Sequence, residues 1–123
     1  MSTVALVLVV LVALAHVWFL VLESFLWDTP LGHKALAMTP EQAKQTAVLA
    51  RNQGLYNGFL AAGLFWSLLP VEWCKDPHGV QLFFLGCVVV AGIVGAITAS
   101  WKIILLQAAP GAAALAAVLA ARA

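Results

Sequence analysis

Apolar residues fill Val4 to Leu22 almost without a break, long enough for a helix to cross hydrocarbon at about 1.5 Å per residue. The run stops near ESFLWDTPLG, where Trp27 suits a membrane–water interface and Pro30 and Gly32 break the pattern. No positive segment precedes it and no small-residue cleavage site follows, so it reads as a retained first helix and not as a signal peptide. A second helix is predicted from Pro40 to Leu69: Thr39 caps it, Pro40 fits the first helical position, Gln42 completes a capping box, and Pro70 ends it. At about 45 Å it exceeds the hydrocarbon thickness, so Glu41, Gln42, Lys44 and Gln45 stand in water. The loop PVEWCKDPHG leads to a third helix, and a tight turn near Trp101 leads to a fourth that Pro110 and Gly111 should bend. The pattern thus predicts helices over about 3–25, 40–69, 80–99 and 103–121. The expected fold is all-α: one integral membrane domain over 1–123, a four-helix transmembrane bundle running up-down-up-down with short loops.

Composition agrees, since 64% of the chain is hydrophobic and 9% charged, where soluble domains run near a quarter charged. A net charge of +1, with the cations scattered singly, gives no surface for nucleic acid. Cys74 is assigned to a loop and Cys87 to a helix interior, which argues against a disulfide between them. Lys34, Lys44, Arg51 and Lys102 fall on one side of the predicted topology and Lys75 and Arg122 on the other. That imbalance puts the first connection in the cytoplasm and both ends of the chain outward.

Polar residues can now be given a depth. His16, Glu23 and Trp27 share one face of the first helix, with His16 near mid-membrane and Glu23 nearer the cytoplasm. On the second helix, Asn52 pairs with Tyr56 and Gln53 with Asn57 at i, i+4, with Asn57 near the midplane. Thr98 and Lys102 stand at the cytoplasmic end of the last two helices, with Gln107 about 7.5 Å deeper. Polar groups in hydrocarbon normally face the protein interior and find partners. The reading is therefore a polar pocket in the cytoplasmic half, with His16 and Glu23 as candidate acid and base. Arg51, Asn52, Gln53, Tyr56, Asn57, Lys102 and Gln107 are its candidate ligand-binding residues. His16 and Glu23 are roughly 10 Å apart along the helix, so a water, a side chain or a ligand must stand between them. Arg51 and Lys102 either pair with Glu23 or snorkel to headgroups. Trp18 and Trp66 lie deeper than an interfacial belt and could line a pocket. Cys74, Asp76 and His78 lack a fourth ligand, so no metal is expected, and no cofactor is indicated.

Gly54, Gly58 and Ala62 recur at four-residue spacing beside this polar face, a seam for close helix approach. Ala91, Gly95 and Ala99, with Gly92, Ala96 and Ser100 beside them, repeat the device in the third helix.

The stretch NQGLYNGFLAAGLFW (Asn52 to Trp66), the first-helix pattern of His16, Glu23 and Phe25 to Trp27, the stretch FFLGCVVVAGIVGA (Phe83 to Ala96), and Lys102 to Gln107 together resemble a known family. It is the small bacterial integral-membrane family called domain of unknown function thirteen-hundred-and-four. The resemblance covers nearly the whole chain and implies a four-helix protein of a bacterial inner membrane. It brings no reaction, substrate or catalytic residue.

Two functional classes remain, beside a structural one. The first is a binding protein or enzyme for a small apolar or lipid-like molecule, with membrane lipids as its surroundings. The second is a small proton-coupled multidrug-type transporter, which would need access from both sides and an obligate homo-oligomer. A structural membrane subunit would tolerate Glu23→Gln in function while losing assembly.

Overall fold

The computed structural model describes residues 1–122, the side chain of Arg122 excepted, so the cation assigned to that position lies outside the described side chains. All its regular structure is helical: α1 (Thr3–Phe25), α2 (Pro30–Ala35), α3 (Pro40–Trp66), α4 (Pro77–Thr98), a π-helical segment (Ile104–Ala108) and α5 (Ala109–Arg122). Among the described residues there is no strand. Three stretches among the described residues are long and apolar enough to cross a membrane: Thr3–Phe25, Pro77–Thr98 and Ile104–Ala121. α3 falls outside that set because its first half carries Glu41, Lys44, Arg51, Asn52 and Gln53. The membrane-grade helices turn large apolar side chains outward, such as Phe83, Val90 and Ile97, the last 80% exposed. Water would penalise that surface and hydrocarbon would not.

Local chemistry explains most helix ends. At α3 the capping box is formed, with Gln42 N–H donating to Thr39 Oγ1 (3.1 Å) and Thr39 N–H to Gln42 Oε1 (3.0 Å). Thr39→Ala is expected to cost about 1 kcal/mol, measurable as a small drop in melting temperature with unchanged helix content. α2 corrects the reading of Pro30 and Gly32 as breakers. Thr29 caps it by accepting from Gly32 N–H at 3.3 Å, and Pro30 takes the first helical position, which needs no N–H. Gly32 is buried where a Cβ would run into the carbonyl oxygens of Leu26 and Trp27. α4 begins at Pro77 because Asp76 accepts from Gly79 N–H at 3.0 Å. α3 gives way to turns after Trp66.

Ahead of Pro110 the helix widens into the π segment, closed by Ala109 N–H bonding Ile104 O. Proline lacks an N–H and its ring crowds the carbonyl four residues earlier, and a π turn opens the ladder where that conflict would fall.

The chain forms two compact units, and α1 and α3 contribute to both. One joins Met1–Leu14 to the chain from Leu60 onward. Its core is Ala5, Val9, Val12 and Ala13 of α1, Leu64 of α3, Leu85 and Val88 of α4, and Ala114 and Val118 of α5. On α1 these lie at i, i+4, i+7 and i+8, the stripe of one helix face. Gly92 lets α4 meet the π segment at backbone distance, since a Cβ there would be 2.5 Å from Ala108 N. Gly111 lies against Val88 in the same way, a Cβ there falling 2.7 Å from Val88 Cγ1. The second unit, Ala15–Phe59, holds the end of α1, α2 and most of α3.

Candidate functional site

Within the second unit, α1 and α3 run antiparallel, because contacts that ascend α1 descend α3. Leu20 lies against Gly58, where a Cβ would be 3.2 Å from Leu20 Cδ2. Ser24 and Glu23 lie against Gly54, where a Cβ would run into Ser24 Oγ and come within 3.2 Å of Glu23 Cβ. Farther on, Trp27 Nε1 donates to Thr46 Oγ1 at 2.9 Å. Leu20, Glu23 and Ser24 are one side of α1 at i, i+3 and i+4, and Trp27 continues it from the turn that follows the helix. The two glycines remove the side chains that would hold the backbones apart.

The close approach brings the carboxyl of Glu23 to the amide of Asn57, and Asn57 Nδ2 donates to Glu23 Oε1. Both side chains are half-buried. The second carboxyl oxygen of Glu23 has no protein hydrogen-bond partner among the described residues. Two turns before it on α1, His16 is buried at 1% exposure and meets Phe19 edge-on, ring centroids 5.1 Å apart.

The other residues singled out from the sequence take different places. Arg51, Asn52, Gln53 and Tyr56 are exposed, Tyr56 packing edge-on with Phe59 at 5.7 Å. Successive positions turn by about 100° on a helix, so neighbours of Asn57 in sequence point in several directions while only Asn57 meets Glu23. Lys102 and Gln107 belong to the other unit, Lys102 exposed and Gln107 half-buried. Thr98 is exposed and bonds back to Val94 O at 2.7 Å. Trp18 and Trp66 are both 45% exposed, and Trp66 Nε1 donates to Trp73 O at 2.7 Å. Ala62 leaves the expected seam: it is exposed while Ala61 is buried, because two four-residue steps drift about 80° around a helix. In α4, Gly92 and Gly95 do the close packing, a Cβ at Gly95 falling 3.1 Å from Ile103 Cδ1, while Ala91 and Ala99 are exposed. Cys74 and Cys87 are both free thiols. Asp76 is committed to the α4 cap, and among the described residues no three His, Cys, Asp or Glu side chains are grouped for a metal.

Sequence reasoning passed over Ser24 and Thr46, which flank the Glu23–Asn57 contact; of the two, Thr46 carries a signal, standing eleven residues and so three turns before Asn57 on one face of α3. It also passed over Gln81, a buried amide on the apolar α4.

A family model described as Protein of unknown function (DUF1304) matches residues 10–119. The Uncharacterized protein YpaA of Lactococcus lactis subsp. lactis (strain IL1403) is 28% identical over 109 residues, which are 87% of this chain and 89% of that one. No solved structure matches. The matched stretch takes in His16, Glu23, Asn57 and the glycines that bring their helices together, and on that breadth the chain belongs to the DUF1304 family.

Proposed function

We propose that this is a multi-pass protein of a bacterial inner membrane, a four-helix up-down-up-down bundle in a single domain, in which α3 joins the three apolar stretches as a fourth span. Its polar site binds a small apolar or lipid-like molecule by its polar end. The observation that carries this reading is the Asn57 to Glu23 hydrogen bond between α1 and α3, which leaves one carboxyl oxygen free to engage a ligand. Asn57 orients the carboxyl, and Glu23 with His16 supplies the groups able to exchange a proton. Arg51, Asn52, Gln53 and Tyr56 are proposed to approach the ligand from the cytoplasmic side. Lys34, Lys44, Arg51 and Lys102 outnumber Lys75 and Arg122 across the proposed membrane, which supports outward-facing ends.

A transporter would use the same carboxyl and is separated by counterflow in sealed vesicles, which a binding protein does not give. The exposure of Arg51, Asn52, Gln53 and Tyr56 favours a further reading, in which Glu23 and Asn57 lock two helices of a structural subunit. Native mass spectrometry of the protein extracted with its own lipids decides between binding and locking. A retained small molecule, reduced several-fold in Glu23→Gln at equal melting temperature, is the expected result. Bare protein in every preparation would sink the binding reading and leave the structural one.

A further inference from the structure

Gln81 is 2% exposed on the otherwise apolar α4. An amide in such surroundings is costly unless its donors and acceptor are used. The contact it makes is from Nε2 to the thioether of Met1 at 3.8 Å, a weak acceptor at long range. Its amide oxygen has no hydrogen-bond partner among the described residues, and neither has the imidazole of His78 one turn earlier. Both open onto one cavity of about 220 Å³, whose remaining wall is Met1, Pro77, Val118 and Ala121. The cavity lies where the start of α1, the start of α4 and the end of α5 converge, the level at which membrane-spanning helices pass from hydrocarbon to headgroups.

We propose that this cavity is a binding site for the uncharged oxygen-bearing head of a lipid-soluble molecule, held by Gln81 and His78 with its apolar body lying between the helix ends or in the bilayer. Three observations select that chemistry. Among the described residues the lining side chains carry no carboxylate, ammonium or guanidinium, so their polar groups are an amide and an imidazole. An amide and an imidazole each donate and accept, so they serve a carbonyl or a hydroxyl equally. The volume exceeds the roughly 150 Å³ that holds a benzene ring, so it has room for a six-membered ring or a glycerol-sized head. Two kinds of molecule with such a head, a quinone with its quinol and an acylglycerol with ester carbonyl and free hydroxyls, represent the carbonyl and the hydroxyl forms.

The test uses the full chain in phosphatidylcholine nanodiscs, titrated separately with a decyl-chain benzoquinone and with monooleoylglycerol, bound probe being counted on the intact protein by native mass spectrometry. At least one probe is expected to saturate at one per chain. Gln81→Leu should weaken it about tenfold, the worth of one or two hydrogen bonds, without lowering the melting temperature, because leucine suits the apolar surroundings. Val118→Phe should abolish binding by filling the cavity, with helix content unchanged. Saturation by the quinone alone or by the glycerolipid alone names the source, and both support the site. Absence of saturable binding by either probe overturns the proposal, as does wild-type binding in a stable Gln81→Leu protein. Neither variant touches Glu23 or Asn57, so failure here leaves the reading of that site where it stands.

Discussion

Gly92→Leu is expected to destabilise the protein by about 3 kcal/mol, the upper end for forcing extra atoms into a packed contact. A Cβ at position 92 would fall 2.5 Å from Ala108 N and 2.8 Å from Ala108 Cα, and these are backbone atoms of the π segment that cannot swing aside as a side chain can. Relief requires α4 and the π segment to separate, and that contact continues into the core at Val88 and Gly111. Gly86 is the control on the same helix, since a Cβ there would meet nothing within 4 Å. Gly86→Leu should leave stability unchanged or raise it, because leucine favours helix over glycine by up to about 1 kcal/mol. Thermal unfolding of both variants in one detergent, followed by helix content, measures the contrast. Equal melting temperatures would mean that the approach at Gly92 is not tight.

The residues that were legible from sequence are those whose partner lies within a turn of chain. Thr39 and Gln42 satisfy one another across three residues, so a capping box can be read without knowing the fold. Pro30 shows the limit of the same grammar. A proline both ends helices and begins them, and Thr29 before it decides for a beginning. Asp76 before Pro77 carries the same signal and sets the start of α4 three residues ahead of Val80. The π segment is less accessible, because Pro110 announces a disturbed ladder while the neighbours of the helix decide between kink and bulge.

The site divides along the same line. That Glu23 and Asn57 need partners follows from polarity within apolar runs, and Gly54 and Gly58 mark where another helix comes close. Rotation about the helix axis does not follow from depth. Arg51, Asn52, Gln53 and Tyr56 share a depth range with Asn57, yet only Asn57 points along the face defined by Ala50, Gly54 and Ala61. Gln81 escaped notice because it lies near a helix end, where an amide is expected to be solvated, and only the packing of three helix ends buries it.

Asn57→Leu is expected to cost about 1–2 kcal/mol of stability, because it leaves the half-buried carboxyl of Glu23 without the amide that donates to it. Glu23→Leu alone should cost a similar amount by stranding the Asn57 amide. The double replacement is expected to recover most of the loss, since two apolar side chains facing one another leave no unsatisfied group. A coupling of about 1 kcal/mol or more in this cycle, read by thermal or denaturant unfolding in detergent, is the signature of a direct pair. Additivity to within about 0.5 kcal/mol would show that the two residues act independently and would remove the anchor of the proposed site. The same double variant separates helix locking from binding. A structural pair can be exchanged for leucines with assembly intact and nothing else lost. A ligand site so exchanged keeps its fold and loses its ligand, because no carboxyl oxygen remains to hold the polar end.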